Sequence, residues 1–248
     1  MRIFGVITLL LAIAAPLAGQ AAKSAKTTAP TDADFTGYWV SLITEDWRWR
    51  MVTPAKGDYA SIPLTLKGKE TADTWDPAKD EAAGNECRSY GAPGIMRAPA
   101  RLHITWQDEE TLKVDIDYGQ QTRLLRFANG SSATGPATWQ GNTVANWEAG
   151  PATGQETPSG RPKYASIKTV TTHLRPGYLR KNGVPYSGEA VLTEYWDVNK
   201  EPNGSQTLLV TTAVHDPMYL QRDWITALEF KKEPDGSKWD PQPCNSRW

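Results

Sequence analysis

The sequence predicts an all-β protein: an up-and-down β-barrel, or a strongly curved antiparallel sheet, of about 9–10 strands with one short helix. After residue 99, polar and apolar side chains alternate with the period of a half-buried strand, and β-branched residues are frequent. Turn-forming pairs such as Asn203-Gly204 separate these stretches in the manner of hairpins. The eleven tryptophans indicate a Trp-rich core or a surface that stacks on flat ligands.

The strand-like segments recur along most of the chain. In chain order they are residues 36–44, 46–52, 101–107, 111–118, 120–127, 142–148, 166–175, 189–198, 207–215 and 224–232. In the second segment, alternation predicts Trp47 and Trp49 on one face and Arg48 and Arg50 on the other.

Three further stretches break this pattern. Residues 66–75 are the helix candidate, because Thr65 suits the N-cap and Asp76-Pro77 suits a stop. Residues 79–99 are charged and contain Gly and Pro, which predicts an irregular loop. Pro176-Gly177 and Asn182-Gly183 mark an excursion between two strands.

The N-terminus has the features of an export signal. A basic residue precedes the apolar run Ile3–Ala15, and small residues follow it, so residues 1–21 are interpreted as a signal peptide. The run is shorter than the ~20 residues that a membrane-spanning helix needs, although an uncleaved anchor is the alternative. Residues 22–34 are interpreted as a flexible leader, and 35–248 as a single β-barrel-like domain. We expect an exported bacterial protein, periplasmic or secreted, with no membrane span in the mature chain.

Cysteine content and charge narrow the class of protein. The two cysteines, Cys87 and Cys244, are expected to form a disulfide in an oxidising compartment. The formal net charge is −1 and basic residues are scattered, so no nucleic-acid partner is expected. The chain has no Gly-rich phosphate loop and no G-x-S-x-G nucleophile motif, which argues against nucleotide-dependent chemistry and hydrolases of that type.

Two resemblances add to this interpretation. FTGYW (Phe35–Trp39) resembles the G-x-W motif that opens lipocalin (calycin) barrels, which implies that Trp39 packs across the closed end of a barrel. TWQGNTVANWE (138–148), GVPYSGEAVLTEYW (183–196) and HDPMYLQRDW (215–224) are similar to a group of uncharacterised exported bacterial β-proteins. That second resemblance implies export and a β fold, and it implies no activity.

The three histidines are candidates for proton transfer or metal binding. Each lies on a threonine-containing face of a predicted strand, and these faces would make the barrel lumen polar if they point inward. His103 and His173 are then candidate acid–base groups near neutral pH. His103, His173 and His215 together would supply three ligands for Zn²⁺, although no close-spaced motif supports this. No cofactor is otherwise expected, and structural or surface histidines are the alternative.

Glu194 is the third catalytic candidate. It shares a strand face with Leu192 and Trp196, and apolar neighbours raise the pKa of a carboxyl group towards the range useful for acid–base catalysis. Pairing with an arginine, such as Arg123 or Arg175, is the alternative.

Arginine and tryptophan together suggest a ligand site. Arginine binds carboxylates in bidentate fashion, and tryptophan stacks on rings. For the cluster around 45–50, the alternative is an edge strand with charges in solvent. Tyr178, Tyr186 and Trp196, together with Arg180, could form a lid or rim of the barrel mouth, and the alternative is loop aromatics that pack on the barrel end. The candidate ligand-binding residues are Trp39, Trp47, Arg48, Trp49, Arg50, Arg101, Trp106, Tyr186 and Trp196.

Three functions are compatible with these features. The first is binding of a partly apolar or aromatic small molecule in a Trp/Arg-rich cavity. The second is a cofactor-independent or metal-assisted lyase, isomerase or hydrolase that uses His and Glu in the lumen. The third is a structural role in the cell envelope. The sequence does not indicate the oligomeric state.

Overall fold

The structure is a computed structural model that describes residues 33–127, 135–149 and 165–247. The predicted signal peptide and almost all of the predicted leader lie outside these residues. The strands are β1 (Gly37–Leu42), β2 (Arg101–Trp106), β3 (Thr111–Ile116), β4 (Gln121–Arg126), β5 (Asn142–Ala149), β6 (Ala165–Thr172), β7 (Gly177–Arg180), β8 (Val184–Tyr186), β9 (Val191–Lys200), β10 (Gln206–His215) and β11 (Trp224–Glu233). The helices are α1 (Trp47–Arg50), α2 (Leu66–Ala72), α3 (Pro77–Ala82) and α4 (Ala92–Ile95), with a 3-10 turn at Glu86–Ser89.

The predicted all-β barrel is confirmed. Nine strands close in the order β1-β11-β10-β9-β6-β5-β4-β3-β2, and β7 and β8 form a separate hairpin in the predicted excursion. Every segment predicted as a strand after residue 99 is a strand, with its ends shifted by at most three residues. The pattern is readable because alternate side chains of each strand are buried inside the barrel.

The barrel departs from strict up-and-down topology at one seam. Directions can alternate around a closed ring only if the number of strands is even, so nine strands require a parallel neighbour pair. That pair is β4 and β5, with Leu125 opposite Thr143 and Arg126 opposite Val144. The other neighbour pairs of the barrel are antiparallel.

The strand predicted over 46–52 is wrong, because Trp47–Arg50 forms the helical turn α1. This turn leaves the Trp47 side chain in solvent and buries Arg50, whereas a strand would have placed Trp47 and Trp49 on one face. Arg50 Nη2 donates to Ser41 Oγ at 3.1 Å, and Arg50 Nε donates to the Arg97 carbonyl at 2.9 Å. The alternating sequence of residues 46–52 is compatible with a strand or a helical turn. The contacts of Arg50 with Ser41 and Arg97, which lie outside this segment, favour the turn.

The predicted helix is confirmed as α2, with the Thr65 hydroxyl accepting from Gly68 N at 3.0 Å as an N-cap. The prediction of an irregular loop over 79–99 is wrong in part, because most of α3, the 3-10 turn and α4 lie within it. Asp76-Pro77, interpreted as a stop, instead begins α3: Asp76 is its N-cap and Pro77 its first residue. Proline is favoured at that position because the first N–H groups of a helix have no intrahelical partner.

The core has two apolar clusters. The first fills the barrel around Trp39 and Trp196. The second contains Leu192, Tyr186 and Trp224 and lies where the β7–β8 hairpin and α2 cover one end of the barrel. On the inner face of β9, Glu194 lies between Leu192 of the second cluster and Trp196 of the first. A polar layer therefore separates the two clusters.

The predicted disulfide between Cys87 and Cys244 is confirmed, with an S–S distance of 2.02 Å. It joins the C-terminal segment to the helical region that precedes β2. Beside it, Tyr90 Oη donates to the Asn245 carbonyl at 3.2 Å. The helices in the described ranges are all too short to cross a membrane.

Candidate functional site

The tryptophans predicted to line an open lumen belong to the core. Trp39 and Trp196 are fully buried, as is Tyr186. Trp39 Nε1 donates to the Phe35 carbonyl at 3.0 Å, and Trp196 Nε1 donates to the Thr169 hydroxyl at 3.4 Å. Because all three rings are buried and both indole donors are occupied, these side chains offer no surface to a ligand in this structure.

Glu194 is paired with Arg123, as the alternative interpretation expected. The guanidinium donates to both carboxylate oxygens, at 2.8 and 2.5 Å, and the Thr169 hydroxyl donates to Glu194 Oε2 at 3.0 Å. Both charged side chains are fully buried. Arg175, the other partner considered, instead donates to Asn85 and lies over the Trp139 ring. The buried pair holds the polar layer together and has no path to a substrate in this arrangement.

The histidines lie outside the lumen. His103 is on the outer face of β2, with its ring stacked on Tyr38 at a centroid distance of 4.1 Å. His173 is exposed and has a φ of 56°, which breaks the alternation that predicted an inward side chain. His215 is exposed at the end of β10, with its Nδ1 2.7 Å from Asp223 Oδ1. Across the described ranges, no group of three or more His, Cys, Asp and Glu side chains is arranged to hold a metal ion.

Four of the other predicted ligand-binding residues lie at the surface or in ion pairs. Trp47 and Trp106 are exposed, at 66% and 39%. Arg48 pairs with Asp58 at 2.6 Å, and Arg101 pairs with Asp117 at 3.4 Å. Trp49 and Arg50 are the two members of the predicted set that line a pocket described here.

That pocket lies at the end of the barrel where β1 and β3 end and β2 begins. Helices α1 and α4, the end of β7 and the turn after β3 bound it, and we call it the barrel-end pocket. The pocket is partly open to solvent, and its volume of about 30 Å³ holds about two water molecules. Ile95, Ala98 and Leu179 supply apolar surface. Its aromatic and charged lining consists of Trp49, Arg50, Tyr90, Arg97, Tyr118, Arg180 and Lys181.

Two of the three arginines that line the pocket, Arg50 and Arg97, form ion pairs with carboxylates, whereas Arg180 does not. Arg50 pairs with Glu45, and Arg97 pairs with Asp46 at 2.7 Å. Arg180 makes no ion pair with any carboxylate of the described residues, and its Nε is buried with no hydrogen-bond partner there.

The hydrogen-bond acceptors of Arg180 are neutral oxygens, and the carboxylates of Asp46 and Asp58 act on it from beyond ion-pair distance. Its guanidinium donates to the Ala60 carbonyl at 3.1 Å and lies 5.1 Å from the Trp49 ring centroid. Burial and the neighbouring Arg97 lower its pKa to about 10. The pocket therefore contains a buried cation with no carboxylate at ion-pair distance among the described residues.

Lys181 lies beside Arg180, against two aromatic rings. Its Nζ donates to the Tyr118 hydroxyl and lies 4.5 and 5.0 Å from the ring centroids of Tyr118 and Tyr90. Those two rings are themselves stacked, with centroids 5.2 Å apart. Burial lowers the pKa of Lys181 to about 6, well below the ~10.4 of a solvated lysine. Most Lys181 side chains are then neutral amines at pH 7.

Sequence reasoning found part of this pocket. It named Trp49 and Arg50 as ligand-binding residues and Arg180 as part of a rim. Tyr178, assigned to the same rim, is buried and donates to Asp80 at 2.8 Å. Lys181 was not singled out, although it directly precedes the Asn182-Gly183 turn of the predicted excursion.

Comparisons with known proteins give no independent assignment of this pocket. The chain matches no protein-family model, no curated protein and no solved structure.

Proposed function

We propose that this protein binds a small, partly apolar molecule through an anionic group, a carboxylate, held in the barrel-end pocket. The observation that carries the proposal is Arg180, a buried guanidinium that lines the pocket and makes no ion pair with a carboxylate of the described residues. Guanidinium groups bind carboxylates through paired, charge-assisted hydrogen bonds. A bound carboxylate would also complete the charge balance that Glu45 and Asp46 provide for Arg50 and Arg97.

The size of the pocket supports recognition of a head group. A volume of about 30 Å³ suits a carboxylate in place of about two waters, and the rest of the molecule would project from the mouth. Ile95 and Leu179 provide apolar contacts for the carbon atoms nearest the carboxylate. This proposal keeps the Trp/Arg character of the predicted cavity and moves its location from the lumen to the end of the barrel.

The expected effect of Arg180 on binding is direct. Arg180→Gln should weaken binding of small carboxylates such as benzoate or pyruvate by about 10- to 100-fold, since a hydrogen bond to a charged group contributes about 1.5–3 kcal/mol. Calorimetric titration measures the affinity, and fluorescence of Trp49 within the pocket reports the same event. Arg180→Lys keeps the positive charge but loses the paired donors of the guanidinium, so its affinity should lie between those of the wild type and Arg180→Gln.

Arg175→Gln is the control, because Arg175 is an exposed arginine that does not line the pocket. It should bind like the wild type. Equal affinity in folded Arg180→Gln and wild-type protein would reject the proposed site. No binding of any carboxylate by the wild type would favour a purely structural envelope role, with which the densely packed barrel interior is compatible.

We also propose that the protein acts outside the cytoplasm, in the periplasm or as a secreted protein. The disulfide supports this because such bonds persist in oxidising compartments. Expression of the full chain in an exporting bacterium should give a product that begins at Ala22, through removal of residues 1–21. N-terminal sequencing measures this, and a product that retains Ile3–Ala15 would contradict it.

A further inference from the structure

We propose that Lys181 forms an imine with the carbonyl carbon of an oxo-carboxylate whose carboxylate is bound by Arg180. The inference rests on the proposed carboxylate site and names the ligand class more narrowly. A molecule such as pyruvate carries a carboxylate and a carbonyl on adjacent carbons. The carboxylate would bind Arg180, and the carbonyl would react with Lys181.

The local backbone brings the two side chains to one pocket. Consecutive residues of a regular strand point to opposite faces. Here the pairing of β7 with β8 shifts register between Tyr178 and Arg180, and Lys181 lies in the turn that continues to Gly183 at a φ of 85°. Arg180 and Lys181 therefore both line the barrel-end pocket. In the proposed complex, Arg180 binds the carboxylate and the adjoining carbonyl meets the Lys181 amine within the same pocket.

The surroundings of Lys181 suit amine chemistry. A lysine attacks a carbonyl only as the neutral amine, and burial next to Tyr90 and Tyr118 favours that form. Arg180 supplies the charge for binding, so Lys181 need not be charged to hold the ligand. The Tyr118 hydroxyl contacts Nζ and is placed to pass a proton between the nitrogen and the departing oxygen.

The step is a condensation that needs no further reactant. The Nζ lone pair of Lys181 forms a bond to the carbonyl carbon and gives a carbinolamine. The carbon–oxygen bond then breaks, and the oxygen leaves as water with the two hydrogens that the amine loses. The product is a C=N bond between Lys181 and the ligand, and no atom changes oxidation state overall.

Reductive trapping tests this on the full exported chain with its disulfide intact. The protein is incubated with pyruvate and cyanoborohydride at pH 7, and peptide mapping by mass spectrometry locates the reduced adduct. We expect labelling of Lys181 at least about tenfold faster than of Lys113, because burial favours the neutral amine at Lys181, whereas Lys113 is held in an ion pair with Asp115. Lys181→Arg should lose the fast adduct, and Lys113→Arg, altered on the outer face of the barrel, should retain it.

Calorimetric binding of pyruvate, measured without reductant, separates the two proposals. Binding together with fast labelling of Lys181, both lost in Arg180→Gln, supports both. Binding without preferential labelling of Lys181 overturns the imine and leaves the carboxylate site standing. Neither binding nor labelling overturns both. Fast labelling that persists unchanged in Arg180→Gln overturns the assignment of the ligand as an oxo-carboxylate held by that residue.

Discussion

Replacing Glu194 by alanine is expected to lower the free energy of unfolding by about 3–5 kcal/mol, because it leaves a buried arginine without its counter-charge. In the wild type, both carboxylate oxygens accept from Arg123, and neither side chain is exposed. Thr169 would also lose its acceptor. Chemical denaturation followed by Trp fluorescence measures the loss, since Trp196 lies next to this layer.

A double variant distinguishes the cost of leaving the Arg123 charge unpaired from the cost of losing the packing of the Glu194 side chain. Arg123→Met with Glu194→Leu removes both charges and keeps apolar volume, so it should regain most of the stability that Glu194→Ala loses. The partly exposed pair Lys168–Glu148 serves as the surface control, and removal of Glu148 should cost far less than removal of Glu194 because solvent screens this pair. A loss below 1 kcal/mol in Glu194→Ala would contradict the view that the pair is desolvated.

Removing the disulfide is the second change with a large expected effect. Cys87→Ser with Cys244→Ser should lower the free energy of unfolding by about 2–5 kcal/mol, because the bond closes a long loop and restricts the unfolded chain. The separation of the two cysteines is 157 residues. Denaturation curves of the variant, and of the wild type with and without reductant, measure the effect.

The disulfide also bears on the barrel-end pocket. Tyr90, which lines the pocket, donates to Asn245 next to Cys244, and the turn after β3 bridges to the C-terminal segment through Tyr118 and Gln242. We therefore expect weaker carboxylate binding in the double serine variant even where it is folded. Unchanged stability on reduction would contradict the expected contribution of the bond, and unchanged binding would contradict its link to the pocket.

Strand positions could be predicted from the sequence because alternation along a strand directly records which face is buried. β9 shows this best: Leu192, Glu194, Trp196 and Val198 point inward, and their neighbours do not. The pairing of the two cysteines was also predictable. Cysteines tend to form disulfides in an oxidising compartment, and in a chain with two cysteines each has only the other as an intramolecular partner. Both inferences need only local pattern or simple counting.

The candidate site could not be predicted in the same way. Trp49 and Arg50 were identified from the chemistry of their side chains. They were predicted to lie on a strand, whereas the structure places them in the helical turn α1. Arg97 and Tyr118 come from segments whose approach depends on the closure of the barrel. The lowered pKa of Lys181 comes from burial, which no neighbouring residue in the sequence reveals.

By itself, then, the sequence determined the β class, the positions of all nine barrel strands, the capped helix α2 and the disulfide. Local alternation, capping and cysteine count are sufficient for these features. Only the tertiary structure decided that β4 and β5 run parallel, that Glu194 pairs with Arg123, and that Arg180 and Lys181 share a pocket. Each of these depends on which distant segments meet when nine strands close into a ring, and that closure is a property of the whole chain.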